Sequence, residues 1–209
     1  MIDAIDDIVF RQEDHSYTIR GREYPSVTTV IRNAGFGHDF SKAPKHLLNH
    51  ARARGNAVHL ACHYIDTVGL DFSSVDEQIR GYVEAYARFK AKVPITIIES
   101  EKRMAVSRIF QEKELTPLAG TPDRIVWLYG RRAVIDLKTG VGCHIQTAGY
   151  ADLYNRSHSA PVMERYELRL LKDGTYKFVR HDDPMDFFKF RDALRKTHAD
   201  MRVNKWRKK

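Results

Sequence analysis

Apolar residues recur at several spacings along these 209 residues, and the changes of spacing divide the chain into elements. Ile8-Val9-Phe10 and Tyr17-Thr18-Ile19 are short β-prone runs on either side of Glu13-Asp14-His15-Ser16, which predicts an opening hairpin. Ser26 is placed to cap a short helix ending near Gly35. After Ser41 and Pro44, the residues Leu47, Leu48, Ala51, Val58, Ala61, Cys62 and Ile65 keep a helical period as far as Gly69. A further helix is expected from Asp76 to Lys90, with Ile79, Tyr82, Val83, Tyr86 and Phe89 on its apolar face. Strand-like runs follow at 94–98 and 104–110, then at 125–128 and 133–135 around Tyr129-Gly130-Arg131-Arg132. The helical period returns over 144–157. A last hairpin is expected from Tyr166–Leu171 and Thr175–Val179 around Lys172-Asp173-Gly174, and Pro184 opens a terminal helix. With no repeat, low-complexity tract or linker, the pattern describes one α/β domain over 1–209, helices packed on a central mixed sheet.

Composition narrows the class of protein. Two cysteines, Cys62 and Cys143, cannot make a four-cysteine zinc or iron–sulfur site, and the acidic start lacks the basic and apolar regions of a secretory leader. No apolar run approaches the roughly 20 residues of a membrane span. The expected setting is a reduced cytoplasm, in a bacterial or phage-encoded protein, with no membrane partner. The formal charge of +8 points to a polyanion partner and is uneven. Residues 191–209 carry eight cations against Asp192 and Asp200, so +6 lies in this tail and +2 in the rest. Trp206 among Arg202, Lys205, Arg207, Lys208 and Lys209 suits an arm that stacks on bases and tracks phosphates; a solvated helix end has the same composition.

The chemistry concentrates between Gly120 and Gly140. If Tyr129-Gly130 is a two-residue loop, Leu128 faces Arg131 and Asp123 faces Asp136; if Gly130-Arg131 is the loop, Asp123 faces Lys138 with Asp136 on the diagonal. Lys138 shares the face of Asp136 in both cases. Like charges directly opposed across strands are destabilising, and the apolar neighbours Val134, Ile135 and Leu137 imply burial, so the pair of carboxylates calls for compensation. A divalent cation supplies it. Mg²⁺ prefers oxygen ligands and is commonly held by one or two carboxylates plus a substrate phosphate. Lys138 beside it would meet the charge that develops on a phosphate oxygen. The plain alternative is an Asp–Lys ion pair with Asp123 as a turn residue.

Gly120-Thr121-Pro122-Asp123, then Ile135-Asp136-Leu137-Lys138 with its aspartate thirteen residues after the first, then Gln146-Thr147-Ala148-Gly149-Tyr150, resemble the G-x-x-D, D-x-K and Q-x-x-x-Y motifs of the PD-(D/E)XK nucleases, in their RecB-like exonuclease branch. Arg54-Gly55-Asn56-Ala57-Val58-His59 resembles that branch's R-G-x-x-x-H element, and Ser26-Val27-Thr28-Thr29-Val30-Ile31 matches a run common there. These elements extend from about residue 25 to 155. The resemblance implies a restriction-endonuclease-like mixed sheet flanked by helices and a metal-dependent deoxyribonuclease acting in replication, recombination or repair. It implies Mg²⁺, with Mn²⁺ as a substitute, held by His59, Asp123, Asp136 and the Leu137 carbonyl. Asp123, Asp136 and Lys138 would carry catalysis, and Arg54, Gln146 and Tyr150 would contact nucleic acid. DNA, single-stranded or as duplex ends, is the implied partner, and a helicase or recombinase is a further one left open. Some relatives carry an iron–sulfur cluster, which this chain cannot build.

Other combinations are weaker. His46 and His50, and His59 and His63, stand four apart as zinc ligands do, but no glutamate follows either first histidine to make H-E-x-x-H, so His46, His50 and His63 read as surface or packing residues. Of Glu99 and Glu101, at the end of the strand before this hairpin, one at most is expected to join the aspartates; Glu101 is favoured. Lys138-Thr139-Gly140 has no S-x-x-K to accompany it, and neither G-x-S-x-G nor a P-loop occurs. The alternative from a different class is a catalytically silent nucleic-acid-binding module on the same scaffold.

Overall fold

The computed structural model describes residues 8–11, 16–40, 42–106, 109–110, 113–114 and 116–207; for 109–114 and 202–207 only the backbone is considered. Three antiparallel strands, β1 (Ile8–Arg11), β2 (Ser16–Ile19) and β3 (Arg22–Tyr24), open the chain, and β3 is an addition to the expected hairpin. Helix α1 (Val27–Asn33) starts where Ser26 Oγ accepts the Thr29 N–H at 3.0 Å, satisfying one orphan donor of the first turn. Helix α2 (Lys45–Asp66) is followed by a single 3₁₀ turn at Phe72–Ser74, then α3 (Glu77–Lys92), which Asp76 caps through the Gln78 N–H at 2.7 Å.

The strands that follow are β4 (Ile95–Ser100), β5 (Met104–Val106), β6 (Ile109–Phe110), β7 (Lys113–Glu114), β8 (Leu118–Gly120), β9 (Arg124–Leu128) and β10 (Arg131–Lys138). Helix α4 (His144–Ser157), strands β11 (Glu164–Leu170) and β12 (Tyr176–Arg180), and helix α5 (Met185–Arg207) complete the chain. The run expected as one strand over 104–110 is divided, because β5 leaves to pair with β8 while β6 pairs with β7. The central sheet has the order β12-β11-β10-β9-β4. It is mixed: β10 and β11 are parallel, joined by α4 as crossover, and every other neighbour is antiparallel.

Alternation in β10 sorts its side chains onto two cores. Val134 joins Val27, Val30, Ile125, Leu153, Phe190 and Leu194 beneath α1, α4 and α5. Ala133, Ile135 and Leu137 join Val58, Tyr86, Phe89, Val126 and Leu168 beneath α2 and α3. Both faces are therefore covered, as the near-continuous apolar run of β10 requires. Close approach of α4 to its helical neighbours depends on Gly149, where a Cβ would stand 2.6 Å from the Phe190 ring and 2.7 Å from Val27. No described helix is long and apolar enough to cross a membrane. The basic C-terminal segment continues α5 as helix to Arg207; its side chains from 202 onward, Trp206 among them, lie outside the description.

Candidate metal centre

The β9–β10 turn takes the Tyr129-Gly130 form. Both residues have positive φ, 47° and 78°, the pattern of a two-residue I′ hairpin turn. Leu128 pairs with Arg131 and the register runs to Arg124 opposite Ile135. Asp123 is the next residue, so it stands across from Asp136 where the ladder ends. Its Oδ2 accepts the Leu137 N–H at 2.6 Å, turning an unpaired strand-end donor into an anchor for the carboxylate.

Helix α2 delivers His59 to the same end of β10. The His59 Nε2 is 3.1 Å from the Leu137 carbonyl, and its Nδ1 is 3.3 Å from Glu101 Oε1 and 3.4 Å from Asp123 Oδ1. Ligand atoms of His59, Glu101 and Asp123 all lie within 4.8 Å of one another, the arrangement in which a cation is held. Glu101 arrives through backbone irregularity. A register shift between Ile97 and Glu99 interrupts the β4–β9 ladder, and Glu101 itself takes a left-handed φ of 51° with its N–H on the Asp123 carbonyl at 3.0 Å. Glu99 turns away to pair with Lys102 at 2.6 Å.

Charges in this cluster are unequally supported. Burial disfavours the Asp123 carboxylate, but His59, Lys138 and the Leu137 N–H outweigh it and hold its pKa below the usual range. Asp136 is 1% exposed, and its Oδ1 has no hydrogen-bond donor among the described residues. Lys138 Nζ lies 2.6 Å from Asp136 Oδ2 as an ion pair, yet burial, reinforced by the Asp123 charge, still raises the pKa of Asp136. Burial works against the Lys138 ammonium too, and Asp136 with Asp123 reverses that, so Lys138 stays protonated. Burial also opposes charge on His59, but Asp123 and Glu101 raise its pKa to about 10. In the metal-free protein the imidazolium thus occupies the position of a cation, with Nε2–H donating to the Leu137 carbonyl. A buried carboxylate with one oxygen lacking a donor among the described residues, beside oxygen donors from Asp123, Glu101 and Leu137 and one imidazole, fits a hard divalent ion.

Beneath the cluster lies a second layer that sequence reasoning missed. Arg124, fully buried in β9, donates its Nε to Asp66 Oδ2 and its Nη1 to the Asp123 carbonyl at 2.6 Å and to Glu101 Oε1 at 3.2 Å. Asp66 also accepts Tyr86 Oη and Lys90 Nζ, each at 2.7 Å. A lone arginine between Asp123 and the apolar Ile125-Val126 was the available clue, since it shares its face with Ile135. Glu167 is another residue the sequence reading passed over. Parallel pairing sets it directly beside Asp136, it is 4% exposed, and Arg169 Nε and Nη2 bond its Oε1 at 3.0 and 2.6 Å. A Cβ at Gly142 would lie 1.8 Å from its Oε2, so the β10–α4 turn needs a glycine there.

The remaining predicted residues divide. Gln146 Nε2 donates to Tyr150 Oη at 3.2 Å on one face of α4. Burial, then Asp123 and Asp136, raise the Tyr150 pKa well above its ordinary value, so the phenol keeps its proton. The Arg54 guanidinium lies over the Tyr82 ring of α3 at 5.5 Å. His63 bonds Ser100 Oγ at 2.8 Å, while His46 and His50 are exposed on α2. None of these three belongs to the His59–Glu101–Asp123 group.

No protein-family model matches the chain, and no curated protein is similar to it. A solved structure described as "Crystal structure of SSO0001" aligns with a TM-score of 0.44 at 14% identity, covering 85% of this chain and 75% of that one.

Proposed function

We propose that the protein is a divalent-cation-dependent deoxyribonuclease of the RecB-like PD-(D/E)XK type, hydrolysing phosphodiester bonds in DNA as an exonuclease. The observation that supports this best is the buried Asp136 carboxylate, paired through Oδ2 with the Lys138 ammonium at 2.6 Å and with Oδ1 lacking a donor among the described residues, beside a His–Glu–Asp group. His59, Glu101, Asp123, Asp136 and the Leu137 carbonyl would hold Mg²⁺ or Mn²⁺. Such an ion would activate a bound water and polarise the phosphoryl oxygens. Lys138, 2.6 Å from Asp136, would offer positive charge where the transition state gathers negative charge. The Leu137 N–H orients Asp123, and Arg124 holds Glu101 and the Asp123 carbonyl, so the donor set is organised before any ion arrives. Gln146 and Tyr150 line the α4 side as hydrogen-bonding groups for the substrate strand.

Digestion of 5′- and 3′-labelled single-stranded and duplex DNA with Mg²⁺, Mn²⁺ or EDTA tests the reading. A ladder from one end, lost in EDTA and in Asp136→Ala and Lys138→Ala proteins of unchanged circular dichroism, is expected. Absence of cleavage by the wild type, or full activity in either variant, would overturn it and leave the silent binding module.

A further inference from the structure

Residues 37–40 and 42–54 leave the body of the protein and return to it at one place. At the start, Cys143 Sγ donates to the Phe36 carbonyl at 3.3 Å. At the end, Gly55 packs against the chain just past β10, where an added Cβ would be 3.7 Å from Thr139 Oγ1. Both anchors belong to segment 139–143, which follows Lys138 directly. Between them, the first turns of α2 are exposed on almost every side, including Lys45, His46, Leu47, Asn49, His50 and Arg52. A helix of a folded domain ordinarily buries an apolar stripe. Here Leu47 is 56% and Phe40 49% exposed.

The charge of this excursion is one-sided. Asp39 is the one acid between residues 37 and 54, against Lys42, Lys45, Arg52 and Arg54. Placing cations rather than carboxylates in the first turn of α2 runs against the helix dipole, so the pattern does not serve the helix itself. Lys45, Arg52 and His59 are spaced by seven, two turns each, and so lie along one face of α2, with Gly55 close to the same line. That face carries His59 to the metal cluster and Gly55 to Thr139. Lys45 and Arg52 stand about 21 and 10 Å along the helix from His59, at 1.5 Å per residue, on a line that leads to where the scissile phosphate would sit. Phe40, its ring centroid 5.0 Å from that of His38, precedes the row as an exposed aromatic surface.

We infer that this face of α2, with Phe40 ahead of it, is the docking track for a single DNA strand: Lys45 and Arg52 take phosphates and Phe40 stacks on a base. The direction of the track into the cluster rests on the nuclease reading; binding to the track does not. One line of cations follows one backbone, and an exposed ring needs the face of an unpaired base, which a duplex hides. Arg54, committed to Tyr82, stays outside the track.

Fluorescence anisotropy of the full chain in EDTA, with a labelled single-stranded oligonucleotide and a blunt duplex of equal length, tests this across a salt series. Each lost phosphate contact lowers the single-strand log–log salt slope by about 0.7, so Lys45→Ala/Arg52→Ala should reduce it by about 1.4. Phe40→Ala should weaken single-strand binding about fivefold or more with the slope unchanged, since stacking carries no counterion release. All three positions are exposed, so thermal unfolding should not move. Unchanged affinity and slope in the double variant, or equal losses on the duplex, overturns the track. Lost single-strand binding in a protein that cleaves nothing in Mg²⁺ would support the track and refute the nuclease reading, whereas cleavage with unaltered binding would do the reverse.

Discussion

Replacing Asp66 by alanine removes the acceptor at which three donors meet beneath the metal cluster. Tyr86 Oη, Lys90 Nζ and Arg124 Nε all bond its carboxylate, and the side chains of Asp66 and Arg124 are 0% and 1% exposed. Without Asp66, Arg124 keeps the Asp123 carbonyl and Glu101 at Nη1 but loses its main counter-charge where water does not reach. Removing one partner of a buried pair costs about 3–5 kcal/mol. Because Nη1 stays satisfied, the low end applies, about 3 kcal/mol. Lys90 is 26% exposed at its side chain and rehydrates, adding little. For a chain of this length each kcal/mol moves the unfolding midpoint by roughly 2–4 °C, giving a fall of about 6–12 °C. Urea unfolding followed by far-UV circular dichroism measures the loss directly. The wild type, Asp66→Ala, Arg124→Leu and the double variant make a complete cycle. Removing both charges eliminates the orphan, so the double variant should lose about 1 kcal/mol or more less than the sum of the two single losses. A loss under about 1 kcal/mol for Asp66→Ala, or strict additivity, would refute the view that this layer is a coupled buried network.

Other consequences follow from the same geometry. Asp136→Asn should raise the thermal midpoint of the metal-free protein above pH 7, since the charged carboxylate is disfavoured by burial, while abolishing any Mg²⁺-dependent cleavage; a lowered midpoint would show that Lys138 already compensates the charge. His59 has its pKa raised from 6.5 to about 10, so its stabilisation is complete below pH 6.5 and is lost as pH rises toward 10. Metal-free wild type should lose stability across that interval and His59→Gln should not, and calorimetry should show Mg²⁺ binding tightening over the same range as the proton is displaced. Gly149→Ala should cost about 1–3 kcal/mol in urea unfolding, because its Cβ meets the Phe190 ring at 2.6 Å; a neutral result would mean that α5 yields freely at this contact.

Local regularities were legible in the residues themselves. Periodicity located α2, α3 and α4, Ser26 and Pro184 marked the starts of α1 and α5, and the alternation of 133–138 separated Val134 and Asp136 from Ile135 and Leu137. The two-residue turn Tyr129-Gly130 was one of two readings, and its choice places Asp123 beside Asp136 without reference to any other part of the fold. These features depend on backbone geometry over a few residues, which spacing and turn chemistry encode.

Contacts between distant segments were decided only by the tertiary structure. That His59 meets Asp123 and the Leu137 carbonyl depends on α2 covering the Ile135–Leu137 face of the sheet. Glu101 reaches the same point because a shifted register and a left-handed residue re-aim the end of β4. Glu167 stands beside Asp136 because β10 and β11 run parallel, a pairing made through α4, whose Gly149 allows contact with Phe190 and Val27. Arg124 shows the limit most plainly. Its place on a buried face announces a need for partners, but Asp66 and Tyr86, 58 and 38 residues away, are supplied by how two helices pack on the sheet. Packing is a property of shapes meeting across the chain and has no period, so the sequence by itself determined the carboxylate pair while the assembled fold determined what surrounds it.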